Sequence, residues 1–195
     1  MTPAEKPGPD SIVGELSQIF EQRGAEAYLG EAVTMAEHML QAATLAERNG
    51  ETEIVIAAAL LHDVGHFVGP HGSFSMTDTE DRHHHASGAA LLDGLFPEAL
   101  VDCVRHHVAA KRYLCATNPT YYDRLSEASK HSLSLQGGPM SEAEAADFAG
   151  NPNLEAILQV RYLDDAGKRA GARTQAFTHF LPLLEHLVAK RNSSA

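Results

Sequence analysis

The sequence predicts an all-α protein, a helical bundle. Apolar residues recur at three- and four-residue spacing along most of the chain, and helix start and stop residues punctuate those runs. No stretch of useful length alternates apolar and polar residues as a half-buried strand would, and there is no internal repeat.

Taken in order, Ile12, Leu16, Ile19 and Phe20 form a first apolar stripe behind Asp10 and Ser11, both suited to an N-cap, with a stop at Gly24. A second helix is expected from about Glu31 through Met35, His38, Met39, Ala42 and Ala46 to Asn49-Gly50, a strong C-terminal signal. A third should run from Thr52 to about Gly65. The segment from Gly65 to Asp81 is rich in Gly, Ser, Thr and Asp and reads as a loop of the length used for lids. Helical patterning resumes at Leu91, Leu92, Leu95 and Phe96. It resumes again after Pro97 through Leu100, Val104, His107 and Val108. Further helices are expected near 121–133 and 153–170, with a short one where Ser141 and Glu144 form a capping-box pair. The last, about 174–190, contains Pro182, which should start or kink it.

At 195 residues the chain suits one domain, expected over 11–192, behind a proline-containing tail at 1–10 that reads as disordered. No apolar run approaches the ~20 residues needed to cross a bilayer, and the start lacks the order of a secretory signal. The expectation is a cytoplasmic protein without a membrane partner. A formal charge of -11 disfavours nucleic acid, whose binding depends on neutralising phosphates, but leaves room for a small anion where cations cluster locally. Cys103 and Cys115 have no CxxC spacing and are expected to be reduced and structural. Assembly into a homo-oligomer is compatible with the sequence.

The candidate chemistry lies in histidines and aspartates spread over several helices. His38, the contiguous His62-Asp63, His84 or a neighbour, His107, and Asp164 or Asp165 each fall on or beside an expected helix, where they could point into one interior. Imidazole with carboxylate suits iron, manganese, zinc or cobalt better than magnesium or calcium, which prefer all-oxygen shells. Asp63, beside His62, can bridge two ions. His131, His179 and His186 are expected as satisfied core histidines, the commoner fate of a histidine in an apolar helix.

The order His38, His62-Asp63, Asp164 resembles the HD-domain superfamily, metal-dependent enzymes on an all-α core. The two further histidines resemble its binuclear branch, the mixed-valent diiron oxygenases, which include inositol oxygenase and the PhnZ-type phosphonate oxygenases. LLHDVGH supplies His62, Asp63 and His66. HHASGA is similar to the branch's His-Glu-x-x-Gly-Ala and selects His84, with His85 in place of the usual Glu. HVAAKRYL supplies His107 and Lys111, and the Lys168 that follows Asp164 by four residues selects it over Asp165. Tyr28 and Glu31, seven residues ahead of His38 at their nearer end, resemble the Tyr and Glu gate of PhnZ-type enzymes. SEASKHSLSLQGGPM is similar to their substrate loop, which implies Ser129 and Gln136 to Pro139 near a phosphonate.

The resemblance implies metal ligands His38, His62, Asp63, His84, His107 and Asp164, two iron ions cycling through Fe(II)/Fe(III), and O2 as co-substrate. It implies a small anionic phosphonate as substrate, anchored by Lys111 and met at its ammonium end by Glu31. His66 would orient a ligand or take a proton, so Asp63, His66 and Lys111 are the catalytic candidates. The product would be glycine or glycine betaine with phosphate, according to the N-substituents. An aromatic cage would favour a quaternary ammonium, and Tyr28, Phe67, Phe74, Tyr113, Tyr121 and Tyr122 are available for it. Two rival readings are a metal-dependent HD phosphohydrolase acting on a phosphate ester or nucleotide, and a non-catalytic HD sensor.

Overall fold

The computed structural model describes residues 7–28, 30–68 and 76–193, and side chains to 191. Among them are ten α-helices, two 3-10 turns and no strand, as the apolar periodicity predicts.

Helix α1 (Ile12–Arg23) buries Ile12, Leu16 and Phe20. Gly24 ends it with φ -59°, so the glycine is required by crowding and not by handedness: a Cβ there would lie 2.7 Å from that of Ala36. Helix α2 (Met35–Arg48) begins four residues later than the apolar pattern predicts. Thr34 Oγ1 accepts from the Glu37 amide and the Glu37 carboxylate accepts from the Thr34 amide, a reciprocal cap that sets the start. Glu31 is therefore in the preceding turn, closed by its own N–H on the Tyr28 carbonyl at 3.0 Å with Gly30 at φ +72°.

Helix α3 (Glu53–Leu61) is capped by Thr52 and ends short of the expected Gly65. His62 to Val64 form a turn, and a one-turn helix α4 (Gly65–Val68) follows. The reason for the break is the packing of α4 on α5 (His84–Leu92). A Cβ on Gly65 would overlap the His84 carbonyl oxygen and lie 2.6 Å from the Gly88 nitrogen. Of the expected loop over Gly65 to Asp81, the first four residues are thus helical. Positions 69–75, Phe74 included, lie outside the described residues, as do 1–6 of the expected tail. Gly8 to Ser11 form a turn leading into α1.

Helix α5 starts earlier than its apolar run and stops at Leu92, leaving Leu95 and Phe96 buried in the next turn. Pro97 precedes α6 (Glu98–Thr117), which contains both free cysteines. The helix expected at 121–133 is a 3-10 turn, Tyr122–Arg124, followed by α7 (Glu127–Leu135), because the Ser126 hydroxyl caps the Ser129 amide and fixes the start there. Helix α8 (Glu142–Phe148) has the capping box Ser141 and Glu144. Helix α9 (Leu154–Ala166) ends four residues before the expected limit at 170, with Gly167 as its C-cap. A 3-10 turn, Phe177–Phe180, leads into α10 (Leu181–Ser193), with Pro182 in its first turn.

Helix α3 is buried along nearly its whole length and packs against α2, α6 and α9. Its apolar residues therefore form the centre of a core to which α1, α5 and α10 also contribute. The His62–Val64 turn emerges from that centre, which places its polar side chains in the interior. Among the described residues no helix is long and apolar enough to cross a membrane.

Candidate active site

Three elements converge on one group. His38 comes from α2, His62 and Asp63 from the turn after α3, and Asp164 from the last turn of α9. His38 Nε2 lies 3.0 Å from His62 Nε2, 3.5 Å from Asp63 Oδ2 and 3.4 Å from Asp164 Oδ1. A second group meets the other oxygen of the same carboxylate. Nε2 of His84 and of His107, at the start of α5 and within α6, are 3.0 Å apart and lie 3.3 and 3.4 Å from Asp63 Oδ1. His38, His62 and Asp63, and again Asp63, His84 and His107, are so placed that each trio could hold a metal ion.

The donor chemistry fits a cation in both groups. Nδ1 of His38, His62 and His107 lies against the carbonyl oxygens of Gly167, Ala59 and Val104 at 3.0, 2.8 and 2.7 Å. A carbonyl only accepts, so each Nδ1 carries a proton and each ring, when neutral, turns an Nε2 lone pair inward. Two such lone pairs 3.0 Å apart, with carboxylate oxygens around them, repel unless a positive charge lies between. Asp164 Oδ1 is buried and lacks a hydrogen-bond partner, although burial without one is costly. Carbonyl anchoring of the far ring nitrogen is the usual way a ligating imidazole is held in register.

The protein's own charges respond to this crowding. Burial works against ionised Asp63, yet His62, His107 and His38 outweigh it and hold its pKa well below the usual carboxylate range. Asp164 is likewise held low against burial by Arg161 and Lys168. Burial opposes the imidazolium of His38 too, but Asp164 and Asp63 raise it to about 9. His84 and His66, whose rings stack at 4.0 Å, are both pushed down, chiefly by burial.

Beside the second group is a cavity lined by Tyr28, Glu31, His66, Lys111, Arg161 and Lys168, among others. Lys111 is buried and donates from Nζ to Ser132 Oγ at 2.8 Å, and burial, reinforced by Arg161, draws its pKa down to about 7. Lys168 Nζ donates to Ser129 Oγ at 2.9 Å and lies 3.8 Å from both Glu31 Oε1 and Asp164 Oδ1. Ser126 Oγ donates to Glu31 at 2.5 Å. Helix α7 and its cap thus meet the cavity's charged residues through Ser126, Ser129 and Ser132, on one face at three-residue spacing.

All the candidate site residues named from the sequence lie at this centre or line its cavity: His38, His62, Asp63, His84, His107 and Asp164 in the two groups, Tyr28, Glu31, His66, Lys111, Ser129 and Gln136 around the cavity. Their alternatives point elsewhere. His83 pairs with Asp81, His106 with Asp102, and Asp165 with Arg161 and Tyr121; His85 packs edge-on to His107 without joining either group.

Other expectations need correction. Of Gln136 to Pro139 only Gln136 reaches the cavity, because Arg112 draws the glycine turn outward, donating to the Gly138 carbonyl at 2.9 Å. Among the described aromatic candidates only Tyr28 lines the cavity. Phe67 packs on Phe20 and Tyr113 on Phe148, Tyr121 bonds Asp165, and Tyr122 is exposed beside Lys130. His179 and His186 are exposed partners of Glu47 and Glu53, not core residues, and His131 is half-buried against the Asp78 carbonyl. The sequence reading missed Arg161, which is buried in the cavity wall and paired with Asp164 at 2.6 Å; its place one turn before Asp164 on the same helix was the available signal.

Comparison with known proteins agrees with this geometry. A model of the HD domain matches residues 35–148, which contain five of the six residues of the two groups. The chain is 59% identical over 180 residues, 92% of either chain, to a [1-hydroxy-2-(trimethylamino)ethyl]phosphonate dioxygenase (glycine-betaine-forming) from Leisingera caerulea. It is 40% identical over 166 residues, 85% of its length and 82% of the relative's, to a hydroxymethylphosphonate dioxygenase from Gimesia maris. An uncharacterized protein, L432, from Acanthamoeba polyphaga mimivirus is 32% identical over 188 residues, 93% of this chain and 84% of the relative. With the paired His-Asp groups on an all-α core and the domain match spanning them, the chain belongs to the HD-domain family.

Proposed function

We propose that this protein is an iron- and O2-dependent oxygenase that cleaves the carbon–phosphorus bond of a 1-hydroxy-2-aminoethylphosphonate or its N-methylated analogue, with the trimethylammonium compound, giving glycine betaine and phosphate, as the favoured substrate. The observation that carries the reading is Asp63, whose two oxygens each face a different histidine pair, the arrangement a bridged dinuclear centre needs. The relatives' names supply the substrate class.

His38, His62, Asp63 and Asp164 would hold one iron, and Asp63, His84 and His107 the other. When bound, the iron pair would supply one-electron redox chemistry and activate O2. The chain's own residues bind, orient and shield. The phosphonate's charge requires cations, which Lys111, Lys168 and Arg161 provide at one side of the cavity, with Ser129, Ser132 and Gln136 able to bond its oxygens. Glu31 compensates the ammonium end, and the Tyr28 ring offers its only aromatic face among the described residues. His66 Nδ1 is buried and without a partner, so it can accept the proton of the substrate's 1-hydroxyl. The buried walls exclude water around the reacting carbon.

The test is phosphate release from 1-hydroxy-2-aminoethylphosphonate and from its trimethylammonium analogue by the iron-loaded, partly reduced protein, with and without O2. Release that depends on O2, faster for the trimethylammonium compound, is expected. Anaerobic cleavage of phosphate esters with both hydroxyphosphonates untouched would replace the oxygenase with a hydrolase on the same centre.

A further inference from the structure

Beyond His38 along α2, a surface cleft is lined by Arg48, Arg169 and Arg173 together with Gln41, Thr44 and the backbone turn at 170–172. No carboxylate lines it, and among the described residues no hydrogen bond or ion pair engages any of the three guanidinium groups. Two nearby acids are occupied, Glu47 by His179 and Asp165 by Arg161. In a chain with 26 acidic and only 15 basic residues, three unpartnered arginines around one carboxylate-free cleft are unexpected.

Their placement is built, not loose. Gln41 and Thr44 are buried on the face of α2 that carries Arg48 one turn further on. The Gln41 amide clamps Arg169 from both sides, donating to its carbonyl at 3.0 Å and accepting from its N–H at 3.0 Å. Thr44 Oγ1 accepts from the Gln175 amide at 3.0 Å, and the chain between turns back through Gly171 at φ +68°. This strap holds Arg169 and Arg173 alongside Arg48 against their mutual repulsion.

We propose that Arg48, Arg169 and Arg173 form a second, surface binding site for a multiply charged tetrahedral oxyanion of the phosphate or phosphonate type, separate from the catalytic cavity. Guanidinium forks match such oxygens with paired hydrogen bonds, and a dianion between them converts the repulsion into attraction. Both the proposed substrate and its inorganic product belong to this class, although the site stands without that reading.

Equilibrium dialysis of labelled inorganic phosphate against the iron-loaded protein, at constant ionic strength set with chloride, tests the site, with methylphosphonate as a parallel probe. The triple variant Arg48→Gln/Arg169→Gln/Arg173→Gln is expected to lose one bound phosphate per chain, or at least tenfold in its affinity, with hydroxyphosphonate turnover kept. Preferential loss with one probe identifies which oxyanion the site takes. Arg169→Lys, which keeps the charge and removes the fork, should weaken binding in a protein whose fold is undisturbed. Phosphate binding that is unchanged in the triple variant and in Arg169→Lys, or absent from the parent protein, would overturn the proposal.

Discussion

The ring of Tyr28 lies flat on that of His38, with centroids 4.0 Å apart and planes inclined by 14°. A loop side chain thus covers a histidine of the first group on its outer face. Burial, Asp63 and Asp164 all hold the phenol neutral. Tyr28→Phe should keep the stack and the metal content, whereas Tyr28→Ala should weaken iron retention about 3–10-fold, in line with the ~0.5–1.5 kcal/mol of a ring pair. Iron per chain after dialysis against a weak chelator measures both, and equal retention in all three proteins would show that the cover is irrelevant to the metal.

Asp63→Ala removes the group common to both trios and should reduce bound iron to less than about one equivalent, with activity lost. Elemental analysis of protein grown in iron-rich medium gives the count. Two irons in the variant would mean that the carboxylate does not bridge.

Lys111→Met probes the cavity in two ways. For the proposed phosphonate anchor, its loss should raise KM about 10–100-fold, the equivalent of one charged hydrogen bond of ~1.5–3 kcal/mol. Stability should move the other way. With a folded pKa of about 7, below the usual lysine value of 10.5, the folded state takes up this proton less readily than the unfolded one. The cost is absent above the unfolded value, grows as pH falls and is complete below the folded one. The variant should therefore melt higher than the parent at pH 6, with the gain shrinking toward pH 10. A pH-independent difference would contradict the burial of a charge.

Gly65→Ala should cost more than about 3 kcal/mol, since the new methyl group meets backbone and not a movable side chain. Gly88→Ala, where the nearest atoms are 3.2 Å away and include the Val104 side chain, should cost less. Thermal melts of the pair give the ranking, and equal melting temperatures would show that α4 and α5 can separate freely.

Much of this was legible in the chain. Period and capping residues gave the helices, and the resemblance of LLHDVGH and HHASGA to the HD-domain motifs selected His62, Asp63 and His84 from among the many histidines and aspartates. Part of what escaped was a local signal, and part was set by how the helices pack. Glu31 belongs to a turn because Thr34 and Glu37 cap α2 behind it, and the Arg161 pairing depends on α9 being packed with that face inward. The aromatic candidates could not be sorted by sequence, because whether a ring lines the cavity depends on which neighbour it packs against, Phe20 for Phe67 and Phe148 for Tyr113.

The approach of Gly65 to His84 also bears on the metals. Asp63 and His84, which share the second trio, are tied together by main chain touching main chain, two residues from one and directly at the other. The gap that the proposed dinuclear centre would span is thereby gauged by the absence of a side chain. A substitution elsewhere in the cavity would alter which molecule enters while leaving this main-chain contact, and the spacing it sets, in place.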